Sequence, residues 1–308
     1  MNILSPLTHK NKITKIKTIS TEFISSVYKG GFDVETNTFF EGIDDIELYE
    51  CNETGYKFFI PFDVAGDGKF YEDLQKFEWY YMPWKWEHQQ TATLLKPDMK
   101  VLEVGCAEGA FLSKISTDFK VNCVGLELNE NACESAKSKG LNVILETIQA
   151  FSEKHIEEFD MVCSFQVLEH ISDVYSFIEA MIKTLKKGGK LIIGVPNDDS
   201  FYGKLESVLN MPPHHMGLWN KKSLSSLTNI FELKDPDFYF EPLQDYHKEY
   251  YDKVIFDLKI QKMDENISKY GFIGRIKNQF LKYSYLKDIK KEFPTIESFT
   301  ILSVLTKS

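Results

Sequence analysis

Two adjacent histidines, His214 and His215, lie on a short segment that begins with Pro212-Pro213 and ends at Trp219. Paired prolines restrict the backbone and stiffen such a segment. Imidazole titrates near neutral pH, so a histidine held in place can take a proton from a hydroxyl group. We predict that His214 or His215 is a general base and that Trp219 belongs to a substrate surface. The alternative is that both histidines only satisfy nearby backbone carbonyls.

A run of small residues, from Gly105 to Gly109, offers a second kind of chemistry. It follows a short apolar strand and precedes a helix, and small residues let a backbone approach a nucleoside-like ligand closely. The dinucleotide pattern G-x-G-x-x-G would need glycines where Ala107 and Ala110 stand. An NAD-dependent enzyme is therefore disfavoured, and no Gly-Lys-Ser/Thr follows to make a phosphate loop.

A carboxylate, Glu127, ends a second apolar strand about twenty residues after this turn, where an acid can accept hydrogen bonds from two ribose hydroxyls. Strands alternate with helical segments over the rest of the chain, which predicts an open α/β sheet. The further strands are expected at 141–145, 159–165, 191–195, 231–243 and 298–307, with a helix at 221–230.

Three segments resemble the class I S-adenosylmethionine (SAM) methyltransferases. Glu103-x-Gly105-x-Ala107-x-Gly109 resembles their first motif, except that Ala107 replaces the middle glycine. Residues 159–171 resemble their FD-V-x-x-x-x-VLEH block, and residues 185–189 resemble their L-K-x-G-G turn. The resemblance covers about residues 90–241. It implies a Rossmann-like, seven-stranded sheet flanked by helices, with the last strand antiparallel near one edge.

The same resemblance implies that SAM is the cofactor and S-adenosylhomocysteine the product. Thr147 stands where the family often has an aspartate near the adenine, and His170 stands where the family's histidine is usually structural. The cofactor residues that it implies are Glu103, Gly105, Cys106, Ala107, Gly109, Glu127, Leu128, Thr147, Ile148 and Gln166.

Two N-terminal features accompany this core. Tyr49–Gly55 resembles the C-x-x-C-G start of a zinc knuckle found before this domain in some bacterial relatives, with Thr54 in place of the second cysteine. Cys51 alone cannot hold a structural zinc, which takes four ligands, so we expect a remnant without metal. The aromatic stretch 77–88 is either core or a wall of the substrate pocket; its candidate substrate-binding residues are Tyr80, Tyr81, Trp86 and His88.

We divide the chain into an N-terminal extension (1–90) with a loose basic arm over 1–20, a SAM-binding core (91–243), a helical insertion (244–295) and a final strand (296–308). Over 248–292 the insertion has eleven lysines and arginines against seven carboxylates. It is either a solvated cap or a lid that attracts an anionic substrate.

The net charge of the 308-residue chain is −10 and Arg275 is its only arginine, which argues against nucleic-acid binding. The five cysteines are scattered and form no disulfide framework. With no apolar run as long as a membrane span, a cytoplasmic protein is expected. The sequence leaves the oligomeric state open.

These features together predict a SAM-dependent methyltransferase that O-methylates a small molecule, a glycan or a nucleotide sugar. Two alternatives stay open. One is a catalytically degenerate SAM-binding or interaction module. The other is a quinone or phenol O-methyltransferase, whose resemblance lies only in the shared core segments.

Overall fold

The computed structural model describes residues 3–77, 82–204 and 207–308, with residues 280–284 described by their backbone alone. The strands are β1 Ile13–Ser20, β2 Asp45–Cys51, β3 Lys57–Ile60, β4 Lys100–Val104, β5 Asn122–Leu126, β6 Val143–Ile144, β7 Phe159–Phe165, β8 Leu185–Pro196, β9 Gly217–Leu218, β10 Leu233–Phe240 and β11 Thr300–Lys307. The helices are α1 Thr21–Phe32, α2 Gly68–Gln75, α3 Trp86–Ala92, α4 Ala110–Phe119, α5 Glu130–Ser138, α6 Ile148–Ser152, α7 Val174–Thr184, α8 Lys221–Ile230, α9 Lys248–Tyr270 and α10 Phe272–Glu292.

Seven strands form the central sheet, in the order β10-β11-β8-β7-β4-β5-β6. Strands β4 to β8 are parallel, whereas β11 runs antiparallel to β8 on one side and to β10 on the other. The predicted fold class, a seven-stranded α/β sheet with an antiparallel last strand and a helical insertion before it, is confirmed. The carboxyl ends of β4, β5, β7 and β8 therefore meet along one edge, where such sheets bind ligands.

Apolar residues alternate between the two faces of this sheet. Leu102 and Val162 lie in the core on one face, and Val101 and Met161 lie in the core on the other. All four side chains are fully buried. Parallel sheets are covered on both faces, which is why their strands are continuous apolar runs rather than half-polar ones.

A second sheet covers the carboxyl edge of the first. Its order is β1-β2-β3-β9, and its last strand, β9, belongs to the segment that carries the paired histidines. The expectation of a loose arm over 1–20 is wrong for Ile13–Ser20, which pairs with β2. In that stretch isoleucine and threonine recur between lysines, and such β-branched residues favour a strand with one face in water.

The insertion consists of α9 and α10, which form an antiparallel helical hairpin. Its base packs on the segment that follows β8, through a cluster that includes Phe201, Tyr251, Val254 and Tyr285. The part of the chain that the structure describes contains no helix both long and apolar enough to cross a membrane.

Candidate functional site

The turn after β4 has a backbone that only small residues tolerate. Gly105, Ala107 and Gly109 all have positive φ angles, of 78°, 47° and 74°. A Cβ atom on Gly105 would lie 2.4 Å from a methyl group of Val167, and one on Gly109 would lie 2.4 Å from a methyl group of Leu141. Ala107 keeps this turn in a left-handed conformation that costs a non-glycine residue about 1–2 kcal/mol.

Glu127, directly after β5, ties the turn to the neighbouring strand. Its Oε2 atom accepts a hydrogen bond of 2.7 Å from the backbone N–H of Ala107. Its Oε1 atom accepts two of 2.8 Å from the N–H groups of Leu128 and Asn129. A carboxylate offers about four acceptor positions, and these three hydrogen bonds leave about one of them for a ribose hydroxyl.

Three other predicted cofactor residues lie along the same edge in different surroundings. Leu128 is 64% exposed beside Glu127, so it offers an apolar surface to a ring. Thr147 caps α6, because its hydroxyl accepts from the N–H of Ala150, and Ile148 is buried in the core. Thr147 thus has a local structural role that does not depend on a ligand.

Beneath the turn, Glu103 and Cys106 are both buried. Glu103 lies within β4, and its Oε2 atom has no hydrogen-bond partner among the described residues. Burial, together with the charge of Glu127, raises the pKa of Glu103 well above its usual range. Burial therefore favours the neutral form of the Glu103 carboxyl group under the binding turn.

These residues fit SAM. Gly105 and Gly109 carry no side chain that could block a ligand, Glu127 has about one acceptor position left for a ribose hydroxyl, and Leu128 offers an apolar face. Gln166, after β7, has a positive φ of 54° and donates a hydrogen bond of 3.1 Å to Oε1 of Glu87. Glu87 was not predicted; it is buried on the first turn of α3, at the same edge of the sheet.

The paired histidines, which are buried, pack with the half-buried His170 into one cluster. The Nδ1 atom of His214 lies 2.7 Å from the carbonyl oxygen of Leu209, and Nδ1 of His215 lies 2.9 Å from Oδ1 of Asn210. The Nδ1 atom of His170 faces the carbonyl oxygen of His214. Each carbonyl can only accept, so each ring carries its proton on Nδ1 and its lone pair on Nε2.

Burial keeps these rings neutral. It lowers the pKa of His170 to about 4 and that of His214 to about 3, and it holds the pKa of His215 well below its usual range. Ring nitrogens of the three histidines lie within 4.8 Å of one another, close enough to raise the question of a metal. The rings of His214 and His215 are stacked, however, 4.4 Å apart and 18° from parallel. Two parallel rings cannot both direct in-plane lone pairs at one ion, so this arrangement does not fit a shared metal.

A buried polar cavity lies beside the cluster. It is about 10 Å³, enough for about one water molecule, and its lining includes Glu169, Asn210, His215 and Trp219. Oε2 of Glu169 and Nε1 of Trp219 have no hydrogen-bond partner among the described residues, and neither has Nδ2 of the neighbouring Asn197. Buried polar groups are nearly always paired, so this concentration of unpaired groups indicates a place for a polar atom from outside the chain.

Two further residues of this cavity, Asp198 and Glu169, were not predicted as site residues. Asp198 lines it and forms an ion pair of 2.6 Å with Lys57 of β3, which fixes the second sheet to the end of β8. Burial raises the pKa of Glu169 to about 8. Glu169 could have been found from its place shortly after β7, because the segment after a parallel strand lies at the carboxyl edge of the sheet. Asp198 has no such signal, and only the fold brings it to the cavity.

The aromatic stretch is only partly described. Tyr80 and Tyr81 lie outside the described residues. Trp86 begins α3 and packs on the sheet, and His88 is buried, with its Nδ1 atom accepting a hydrogen bond of 3.1 Å from the N–H of Lys85. Trp219 is also buried and packs on Tyr56, with 4.3 Å between ring centroids.

The knuckle-like turn at Cys51–Gly55 has a counterpart at Ser5–His9. In each turn, the carbonyl oxygen of the first residue accepts a hydrogen bond from the backbone N–H of the residue four positions later. The N–H of the first residue donates to the carbonyl oxygen of the residue five positions later, and all four distances are 2.7–2.9 Å. His9 and Gly55 occupy equivalent places, with φ angles of 55° and 70°. Only the second turn could be predicted from the sequence, because the first has no cysteine.

The side chains of the two turns meet. The Sγ atom of Cys51 lies 3.8 Å from the hydroxyl of Thr8. Burial raises the pKa of the Cys51 thiol, but hydrogen bonds from Thr54 and Ser5 outweigh it and the net shift is downward. One thiol and three hydroxyls do not fit a structural zinc, which takes cysteine, histidine or carboxylate ligands.

Comparison with known proteins agrees with this geometry. A family model described as a methyltransferase domain matches residues 79–235, just over half of the chain. The ubiquinone biosynthesis O-methyltransferase of Hahella chejuensis is 31% identical over 136 residues, which are 41% of this chain and 57% of that enzyme. The chain spans about half the length of the curated relatives that it matches.

Solved structures share the fold at low identity. A SAM-dependent methyltransferase from Archaeoglobus fulgidus covers 71% of this chain and 90% of its own, with 18% identity and a TM-score of 0.51. Phosphoethanolamine N-methyltransferase 2 of Haemonchus contortus, in complex with S-adenosylhomocysteine, covers 96% of this chain and 68% of its own, with 14% identity and a TM-score of 0.51.

The chain belongs to the methyltransferase-domain family and is an enzyme of the methyltransferase class. Its sheet is that of the class I SAM-dependent methyltransferases, and SAM is its cofactor.

Proposed function

We propose that the protein transfers a methyl group from SAM to a hydroxyl of a small molecule, a glycan or a nucleotide sugar. The observation that supports this most directly is the buried polar cavity beside His215, where Glu169 and Trp219 leave hydrogen-bonding atoms unpaired around a space for about one oxygen atom. Carboxylates and amides of this kind bind hydroxyl groups well, because a hydroxyl both donates and accepts.

When bound, SAM supplies an electrophilic methyl group on a sulfonium. The turn at Gly105 and the Glu127 carboxylate hold the donor at the carboxyl end of β4 and β5, and the cavity holds the acceptor oxygen near the ends of β7 and β8. Alignment of the two reactants and exclusion of water supply most of the acceleration in such a displacement.

The histidines take the proton that the acceptor hydroxyl loses. His215 is the first choice, because it lines the cavity and its Nδ1–H donates to Asn210, which leaves the lone pair on Nε2. His214 stacks on it and is the second choice. A buried imidazole takes a proton reluctantly. Glu169 lines the same cavity and would stabilise the imidazolium only in its ionised form, which its pKa of about 8 leaves as the minor form at pH 7.

The first experiment measures SAM and S-adenosylhomocysteine binding by calorimetry and then screens acceptors for release of S-adenosylhomocysteine. We expect micromolar binding, and methylation of sugar or nucleotide-sugar hydroxyls. His215→Asn should keep cofactor affinity and lose turnover by about 10²–10⁴-fold, as loss of a general base does. The surface variant His9→Asn is the matched control and should retain both cofactor affinity and turnover. Full turnover in a double His214→Asn, His215→Asn variant would exclude the base assignment.

A phenol or quinone acceptor is the second candidate, favoured by the match to ubiquinone biosynthesis O-methyltransferases over part of the chain. The acceptor screen separates the two, because phenols and sugars are assayed as separate acceptor classes. Wild-type protein that binds SAM but methylates no acceptor of either class would favour a degenerate binding module.

A further inference from the structure

The far end of the helical hairpin exposes a compact apolar surface. The hairpin tip, residues 267–277, joins α9 to α10 and carries five large apolar or aromatic side chains that are 39–76% exposed: Ile267, Tyr270, Phe272, Ile273 and Ile276. Isolated exposed apolar residues need no explanation, but a group of this size on one projecting turn marks an interaction surface.

The tip is also positively charged. It contains Lys269, Arg275 and Lys277 and no acidic residue, in a chain whose net charge is −10. The ammonium groups of Lys277 and Lys269 lie 3.6 and 5.3 Å from the centre of the Tyr270 ring, so two of the three charges lie beside an aromatic side chain of the tip. The only arginine of the protein is thus at this end of the hairpin.

The tip is a built structure rather than a frayed end. Nδ2 of Asn266 donates a hydrogen bond of 2.9 Å to Oδ1 of Asn278, whose own Nδ2 donates one of 3.0 Å to the carbonyl of Met263. The helices approach so closely that a Cβ atom on Gly274 would lie 2.0 Å from the carbonyl oxygen of Asn266. These contacts hold the two helices together at the tip, where the apolar side chains stay exposed to water at a cost in free energy.

The base of the hairpin connects to the candidate site. Tyr251 and Ile255 pack in one cluster with Phe201 and Tyr202, and Tyr202 lines the polar cavity. At 1.5 Å per residue, the fifteen residues from Ile255 to Tyr270 span about 23 Å. The tip therefore lies well away from the cavity while its support belongs to the cavity wall.

We infer that the hairpin tip docks on an anionic phospholipid surface. Aromatic and aliphatic side chains insert at the headgroup boundary, while lysine and arginine extend to lipid phosphates. Basic residues that lie within about a Debye length of such a surface are attracted by its negative charge. A second copy bound tip to tip is a poorer occupant, because two sets of three positive charges would then face each other.

The test is co-sedimentation of the full chain with vesicles. We expect binding to phosphatidylcholine vesicles containing about one third phosphatidylglycerol, weak binding to pure phosphatidylcholine, and release by salt. Phe272→Ser with Ile273→Ser should abolish binding, and Arg275→Glu with Lys277→Glu should weaken it roughly 20-fold or more. Phe256→Ser is the matched control; Phe256 is 61% exposed on α9 but lies outside the tip, so binding should be kept.

Circular dichroism and SAM binding report whether each variant is folded, independently of the lipid result. Equal binding to neutral and anionic vesicles, or no binding to either, would overturn the inference. So would a concentration-dependent dimer in analytical ultracentrifugation that the Phe272→Ser, Ile273→Ser variant abolishes, because the tip would then serve self-association. Survival of vesicle binding in the tip variants would place the lipid contact elsewhere.

Discussion

The Glu127 carboxylate accepts a hydrogen bond of 2.7 Å from the backbone N–H of Ala107, across the gap between the ends of β5 and β4. The contact holds the small-residue turn against the neighbouring strand before any ligand arrives. The residue expected to bind the ribose therefore also shapes the turn that receives the rest of the cofactor. Its removal should affect the site in two ways at once.

Replacement of Glu127 by alanine should lower SAM affinity about 100-fold, equivalent to about 2.7 kcal/mol, because charge-assisted hydrogen bonds and the support of the turn are lost together. Calorimetry with S-adenosylhomocysteine measures the change. Glu130→Ala, three residues on in the first turn of α5, is the matched control and should leave affinity within about twofold. Equal losses in both variants would contradict a specific role for Glu127.

Ala107 and Gly105 should respond to substitution in opposite directions. Ala107→Gly removes left-handed strain and should stabilise the protein by about 1 kcal/mol with cofactor affinity kept or improved. Gly105→Ala places a methyl group 2.4 Å from Val167 at a φ of 78°, and should destabilise the turn and abolish SAM binding. Chemical denaturation and calorimetry measure both effects. A neutral Gly105→Ala variant would contradict the described geometry of the turn.

Much of the central sheet could be predicted from the sequence, because its strands are continuous apolar runs and its turns carry small residues. The helix at Lys221–Ile230 and the strand Thr300–Lys307 both lie where the sequence predicted them, and the antiparallel direction of that strand is the one that the family resemblance implied. β1 was missed, because eight residues rich in lysine were interpreted by their charge rather than by their β-branched neighbours.

The candidate site was less accessible to sequence reasoning. Glu87 and Asp198 belong to no recognisable sequence motif. They lie at the site only because α3 and the end of β8 meet at one edge of the sheet. Ser5 and Thr8 likewise gave no signal, since their significance depends on a backbone pattern shared with Cys51 and Thr54. Long-range juxtaposition of common residue types leaves no local pattern.

The buried histidines should make the protein unstable in mild acid. In the unfolded chain a histidine binds a proton below about pH 6.5, whereas in the folded chain His214 does so only near pH 3 and His170 near pH 4. Their contribution to stability is therefore complete above pH 6.5 and falls as the pH drops, by about 2 kcal/mol each at pH 5. Urea unfolding between pH 7 and 5 should show a decrease that is about 2 kcal/mol smaller in His214→Asn. An unchanged decrease would argue against a buried, neutral His214.

Glu169 should lower the stability of the protein as the pH rises through neutral. Its folded pKa of about 8 lies above the unfolded value, so the folded state keeps a proton that the unfolded state releases above about pH 4.5. Stability should therefore fall as the pH rises toward 8, and Glu169→Gln should remove this fall, worth at most about 4 kcal/mol. If Glu169 stabilises the imidazolium of His215, the same variant should lose turnover while gaining stability at pH 8. A variant with unchanged turnover would limit Glu169 to a structural role.

The two knuckle-like turns should accept zinc once their hydroxyls are replaced by thiols. Ser5, Thr8 and Thr54 surround Cys51 on two backbones with the same hydrogen-bond pattern, so a Ser5→Cys, Thr8→Cys, Thr54→Cys variant presents four thiols to one point. We expect it to bind one Zn²⁺ tetrahedrally and to gain thermal stability that a chelator removes, because a structural zinc contributes directly to folding. Metal analysis of the purified protein and the absorption of a Co²⁺-loaded sample measure this. Wild type and Ser5→Cys alone are the controls and should bind none. A folded triple variant without metal would show that the turns are not a knuckle pair.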